Sequence, residues 1–150
     1  IYGLETVCLR YFNVFGPNQD PSSQYSAVIP KFIRSVINNI QPVIYGDGLQ
    51  SRDFTFVENV VSANLLACKA QNIAGEMFNI ACGQRYTLIQ LVETINELLG
   101  KKTNPVFSTE RKGDVKHSHA SIEKAKKMLG YKVLSSFNQG LLKTIQDLSR

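Results

Sequence analysis

Thr87 and Gln90 stand three apart as a T-x-x-Q capping box, and behind them Leu88, Leu91, Val92, Ile95, Leu98 and Leu99 recur at helical spacing until Gly100. A side chain that satisfies an orphan backbone N–H at one end, an apolar stripe, and a glycine stop at the other make this helix the most constrained element of the chain. Similar stripes alternate with short β-branched or aromatic runs along the rest of the sequence. Strands are predicted over residues 6–12, 42–45, 52–56, 77–80 and 105–108. Helices are predicted from a Ser26 N-cap to about Asn39, from Val57 towards Ala70 with Val57, Val60, Val61, Leu65 and Cys68 on the buried face, from a Ser121 cap to Gly130, and from Ser136 with Gln139 through Phe137, Leu141, Ile145 and Leu148. Alternating strands and helices argue for an α/β fold. The strands are too short and scattered for a complete doubly wound sheet, so the expectation is a small mixed lobe that packs against something larger.

The chain has 150 residues, 43% hydrophobic and 19% charged, enough for one compact domain with a sizeable core. No run approaches the roughly 20 apolar residues of a membrane-spanning helix, and IYGLETVCLR lacks the regions of a signal peptide, so a cytoplasmic location without membrane partners is expected. The opening on Ile1 without an initiator Met reads as a fragment, whose catalytic residues would then lie upstream. Cys8, Cys68 and Cys82 are odd in number and set in apolar stretches, which predicts buried free thiols. Charge is uneven: residues 101–150 carry 11 Lys/Arg against 4 Asp/Glu, whereas residues 1–100 carry 6 against 8. Lys124, Lys126 and Lys127 decorate a helix with apolar positions Ile122, Ala125, Met128 and Leu129. That pattern reads as a solvated face more than as a nucleic-acid surface, which would interleave aromatics.

Two arginines carry the functional reading. Arg52 in YGDGLQSRDFTFVEN and Arg111 in RKGDVKHS each sit beside a glycine turn, and guanidinium forks grip phosphate oxygens bidentately. A converging pair would clamp a diphosphate; each taken singly is a surface ion-pair partner, with Asp53 or Asp114 close by. Asn13, where a strand leaves into the GPNQD loop, could bond a ligand or only its own turn. Ala27, Val28, Lys31 and Phe32 open a helix whose N-terminus favours anions, against the plain reading of a core face with a solvated lysine. Tyr45 could lie against a flat heterocycle or serve as a sheet residue. Asp114, three residues after Arg111, could accept from vicinal hydroxyls or be only that arginine's counterion. His117 and His119 lack a third ligand, so no metal is expected. The chain contains no G-x-x-G-x-x-G or G-x-G-x-x-G, no Y-x-x-x-K, no G-x-S-x-G and no H-E-x-x-H, so no catalytic residue is assigned.

Taken in order, RYFNVFGPNQDP, YSAVIPKF, VIYGDGLQSRDFTFVENV, the FNIACG strand and RKGDVKHS resemble the C-terminal half of an extended short-chain dehydrogenase/reductase of the NAD-dependent epimerase/dehydratase family. Within it the likeness is greatest to UDP-N-acetylglucosamine/UDP-glucose 4-epimerases. The resemblance implies an absent N-terminal Rossmann portion that binds NAD and carries the catalytic tyrosine and lysine, with residues 1–150 as the substrate-binding portion. It implies that Tyr11, Asn13 and Val14 border the nicotinamide, Asn13 also touching the substrate. Ala27, Val28, Lys31 and Phe32 would form the nucleotide floor, Val43 and Tyr45 would flank the uracil, Arg52 and Arg111 would hold the diphosphate, and Asp114 would meet the ribose. The implied reaction is inversion at C4 of a UDP-hexose through a 4-keto intermediate, with a sister dehydratase or decarboxylase, or a stand-alone nucleotide-binding module, as alternatives. The whole enzyme would be a homodimer, and this chain by itself inactive. Asn18 stands where relatives often have Arg, which leaves acetylated versus plain hexose unread.

Overall fold

The computed structural model describes residues 2–20 and 28–150. The fold is mixed α/β, built from short strand pairs and five helices among the described residues. Strand β1 (Cys8–Tyr11) runs parallel to β6 (Met77–Ile80), with Cys8 opposite Met77 and Tyr11 opposite Ile80. Parallel neighbours need a crossover, and helix α2 (Val57–Lys69) lies in the connection. Strand β2 (Val14–Phe15) pairs parallel with β5 (Thr55–Phe56), β3 (Val43–Tyr45) parallel with β8 (Val106–Ser108), and β4 (Ser51–Arg52) antiparallel with β7 (Tyr86–Thr87). The remaining helices are α1 (Val28–Ile37), α3 (Leu88–Leu99), α4 (Glu123–Leu129) and α5 (Phe137–Leu148).

Two cores hold these elements. The larger joins α1, α3 and α5 to β2, β3 and β5 through Ile29, Ile33, Val36, Ile44, Leu91, Ile95 and Leu141. At its centre Phe15 meets the rings of Phe54, Phe56 and Phe137. Helix α5 approaches this cluster through Gly140, where a Cβ would stand 2.6 Å from the Phe56 ring. The second core packs α2 and α4 on β6 through Ala63, Phe78, Ile80, Ala125, Leu129 and Tyr131.

Local signals were sound at the start of α3 and α5. Both capping boxes are formed, Thr87 with Gln90 and Ser136 with Gln139, and Gly100 closes α3 at φ 63°, in the left-handed region. The helix predicted from Ser26 begins at Val28 in the described part; Ser26 itself lies outside the described residues.

Five expectations need correction. The single strand predicted over residues 52–56 divides into β4 and β5, because the chain changes partner at Asp53 and Phe54, both buried. Ser121 does not cap α4. The N-cap is Ile122, without a side-chain bond, and the Ser121 carbonyl accepts instead from Asn79. Helix α2 is rotated from the expected face: Asn59, Val60 and Ala63 are buried, while Val57, Val61, Leu65 and Cys68 are exposed. The cause is Asn59, whose amide donates to Ser135 O at 2.8 Å and accepts from the Leu134 and Ser135 N–H groups, a fully satisfied buried polar anchor that apolar periodicity does not register. Met128 of α4 is likewise exposed.

The thiols are free, but Cys8 and Cys68 are exposed and only Cys82 is half-buried, contrary to the expectation that all would be buried. Burial, and then the charge of Asp53, push the Cys82 thiol up to about 11. In an Ellman titration of this chain at pH 8, Cys8 and Cys68 are therefore expected to react fast. Cys82 should react at least about tenfold more slowly, its scarcer thiolate being partly offset by higher nucleophilicity. Three indistinguishable rates would contradict this environment for Cys82.

Candidate functional site: a cationic cleft between α1, β3 and the loop after β8

The β3 strand ends in a tight reversal that returns the chain to β4. Gly46 and Gly48 take φ of 89° and 76°, and the Asp47 carboxylate accepts from the Leu49 N–H at 2.9 Å, the local bond that aspartate makes in turns. At Gly48 glycine is required twice over, since a Cβ would lie 2.8 Å from Ile89. This reversal brings Gln50 and Arg52 beside Tyr45. From the opposite side, the loop after β8 turns at Gly113, φ 83°, and carries Arg111 and Asp114 over the same opening.

The result is a cavity of about 540 Å³ lined by Val28, Lys31, Phe32, Arg34 and Ser35 from α1, Val43 and Tyr45 from β3, Gln50, Arg52 and Leu88, and Arg111 with Asp114. That volume falls within the roughly 300–1,000 Å³ usual for small-molecule sites. Four cationic side chains face one carboxylate across it, and a concave low-dielectric wall concentrates such a field. The opening therefore suits an anion with an apolar or flat portion.

Both arginines are held. Arg52 is 16% exposed; its guanidinium contacts Asp114 Oδ1 at 2.5 Å and donates to the carbonyls of Ser51 at 3.0 Å and Lys116 at 3.4 Å. Arg111 places its Cζ 3.9 Å from the centroid of the Tyr45 ring. Asp114 is thus the counterion of Arg52, and the adjacent Asp53 is not. Gln50, almost wholly buried, donates to the Tyr45 carbonyl at 2.6 Å, and its Oε1 has no partner among the described residues.

Of the residues singled out from sequence, Val28, Lys31, Phe32, Val43, Tyr45, Arg52, Arg111 and Asp114 line this one cavity. Ala27 lies outside the described residues. Tyr11, Asn13 and Val14 are elsewhere. The Tyr11 hydroxyl donates to Asn64 beside a separate groove between β1 and α2, Val14 is paired in β2, and Asn13, at φ 41°, donates to Asp53 O at 3.0 Å. These three residues therefore lie outside the cleft lined by the two arginines. Sequence reasoning missed Arg34, Ser35, Gln50 and Leu88. Ser35 follows Lys31 by four residues on α1, so helical spacing held that signal; Gln50 carried none, because its burial depends on the β3–β4 reversal.

His117 Nδ1 lies 2.9 Å from Ser51 Oγ and His119 Nδ1 lies 3.6 Å from Asp53. No group of three potential metal ligands occurs among the described residues. Lys124 pairs with Glu76 and Lys126 with Glu123, as a solvated helix face does. No helix among the described residues is long and apolar enough to cross a membrane.

Residues 1–81 match the NAD dependent epimerase/dehydratase family. The chain belongs to that family. Among solved members, the UDP-glucose 4-epimerase of Thermotoga maritima, determined with UDP-glucose, superposes with a TM-score of 0.93 at 38% identity, covering 99% of this chain and 47% of that one. The UDP-N-acetylglucosamine 4-epimerase of Methanobrevibacter ruminantium, in complex with UDP-N-acetylmuramic acid, gives 0.91 at 42% identity, again with 99% and 47% covered. A UDP-N-acetyl-alpha-D-glucosaminuronate decarboxylase of Bacillus cytotoxicus is 30% identical over 152 residues, which span 97% of this chain and 47% of the relative. The chain thus spans just under half the length of each of these three, and its relatives comprise UDP-sugar epimerases and related decarboxylases.

Proposed function

We propose that this chain is the substrate-gripping portion of an NAD-dependent UDP-hexose 4-epimerase, acting on UDP-glucose or UDP-N-acetylglucosamine. The observation that carries the proposal is the convergence of Arg52 and Arg111 on one cavity that also presents Tyr45, Val43 and Phe32. Guanidinium groups supply charge-assisted bonds to a diphosphate, the apolar edge suits a pyrimidine, and Asp114 offers an acceptor to ribose hydroxyls. Epimerisation at C4 requires the hexose to present both faces in turn. A firm hold on the nucleotide with a loose one on the sugar meets that need, and a diphosphate held by the two arginines would supply the firm end.

Hydride acceptance and return at C4 is the chemistry NAD supplies when bound. Its site, with the catalytic tyrosine and lysine, would belong to an N-terminal portion that completes the sheet. The unpaired edge of β1 among the described residues and the exposed Val57, Val61 and Leu65 stripe of α2 support such a neighbour. By itself the chain would bind nucleotide and catalyse nothing. The complete enzyme would be a cytoplasmic homodimer, the free thiols being compatible with a reducing compartment.

Calorimetric titration of this chain tests the grip directly. UDP should bind at least about tenfold more tightly than uridine, since only UDP engages the arginines. Equal affinities would refute the clamp, and a gel shift with unrelated oligonucleotides would favour a nucleic-acid module instead. The decarboxylase among the relatives keeps a second reading open. Incubating the complete enzyme with UDP-N-acetylglucosaminuronate and with UDP-glucuronate separates the two, because a decarboxylase releases carbon dioxide and an epimerase does not.

A further inference from the structure

Asp53 is fully buried although it follows Arg52 directly. Its carboxylate accepts from the Cys82 N–H at 2.9 Å and the Gly83 N–H at 3.0 Å, with His119 Nδ1 at 3.6 Å. Its own N–H donates to Ser118 O at 3.0 Å, and its carbonyl accepts from Asn13. One residue thus joins four stretches of chain: β4, the turn after β6, the loop leading to α4, and the β1–β2 junction.

The loop leading to α4 is the one that carries the second half of the cleft. Residues 116–118 run parallel beside Ser51, bonded through Ser51 N to Lys116 O and Ser118 N to Ser51 O, both at 2.9 Å. Arg111 and Asp114 hang from the near end of this zipped stretch. A shift of the stretch along β4 would carry Arg111 away from Arg52. Backbone bonds alone leave such a ladder free to slip, whereas Asp53 is pinned to the turn after β6 by the Cys82 and Gly83 N–H groups, and from that fixed point its own N–H holds Ser118 O while its carboxylate faces His119.

A buried charge is also an expensive way to fill space. Apolar replacements of buried charged groups are often neutral or stabilising, so the use of this carboxylate is sought in the geometry it fixes. Burial pushes the Asp53 carboxyl above its usual range, while the N–H groups of Cys82, Gly83 and Ala120, and His119, pull it back towards the charged form.

We propose that Asp53 is the positioning residue of the clamp, holding residues 116–120 in register with Ser51–Asp53 so that Arg52 and Arg111 face the same ligand. The inference rests on the reading of the cleft as a UDP site.

The test is calorimetry and amide exchange on the full chain carrying Asp53→Asn. UDP affinity should fall at least tenfold, and by more than uridine affinity, which loses only what Asp114 gives the ribose. Exchange should quicken at Ser51, Cys82, Gly83 and Ser118, with the amides inside α1 and α3 still protected. General loosening of the fold would instead raise exchange everywhere, and that result overturns the proposal, as does a folded variant with UDP affinity within twofold of the parent. If Asp53→Asn does not fold, inserting Gly-Gly between the exposed Val115 and Lys116 carries the test. It leaves the Asp53 bonds in place but uncouples Arg111 from them, and unchanged UDP affinity again overturns the proposal. Arg52→Ala is the control: if that change leaves UDP binding intact, the reading of the cleft is at fault rather than the role of Asp53.

Discussion

Replacing Arg52 with alanine is expected to weaken UDP binding by at least about tenfold in calorimetric titration. A hydrogen bond to a charged group contributes about 1.5–3 kcal/mol, which corresponds to roughly ten- to more than a hundredfold in affinity. The arrangement around Arg52 argues for the upper part of that range. Its guanidinium is already oriented by Asp114 and by the Ser51 carbonyl, so little side-chain entropy is lost when a phosphate arrives. Its removal also strips Asp114 of a counterion and leaves a carboxylate facing the diphosphate. Adding Asp114→Asn to Arg52→Ala should accordingly recover part of the loss. Arg52→Lys should recover less than full affinity, because an ammonium cannot hold Asp114, a carbonyl and a phosphate in one plane. Unchanged affinity in Arg52→Ala would remove this residue from the clamp.

Phe15→Ala is expected to cost about 3–5 kcal/mol of stability in denaturant unfolding, the usual range for an aromatic truncation in a packed core. Phe15 is 1% exposed and its ring centroid lies 5.6 Å from Phe56, 5.9 Å from Phe137 and 6.4 Å from Phe54. Helix α5 cannot collapse freely into the void, since Gly140 already brings its backbone against Phe56. Against a total stability of roughly 5–15 kcal/mol for a domain, such a loss would leave much of the chain unfolded or close to it. A loss under about 1 kcal/mol would mean that the four rings do not form the centre of the larger core.

How far each element was legible in sequence follows from the range of the interactions that make it. The α3 and α5 boundaries rest on bonds between residues three apart, Thr87 with Gln90 and Ser136 with Gln139, and a linear text contains those in full. The face of α2 does not, because Asn59 is buried by the backbone at Leu134 and Ser135, about 75 positions away. Ser121 was read as a cap from its type alone; its carbonyl is taken up by Asn79, and α4 starts one residue later. The same holds in the cleft. Val28, Lys31 and Phe32, at i, i+3 and i+4, could be placed on one helix face by spacing, and family motifs pointed to Arg52 and Arg111, but Gln50 had no local mark.

From the order of residues alone came the capped starts of α3 and α5, the α/β class, the family and the chemical types suited to a diphosphate. Folding in three dimensions decided that Arg52 pairs with Asp114 rather than its neighbour Asp53, that Arg111 rests on Tyr45, and that Asn13 turns towards Asp53. The reason is that counterions and cavity walls are chosen by through-space distance at the Coulombic and hydrogen-bond range of a few ångströms. Adjacency along the chain sets that distance within a helical turn and hardly at all across a loop closure of sixty residues.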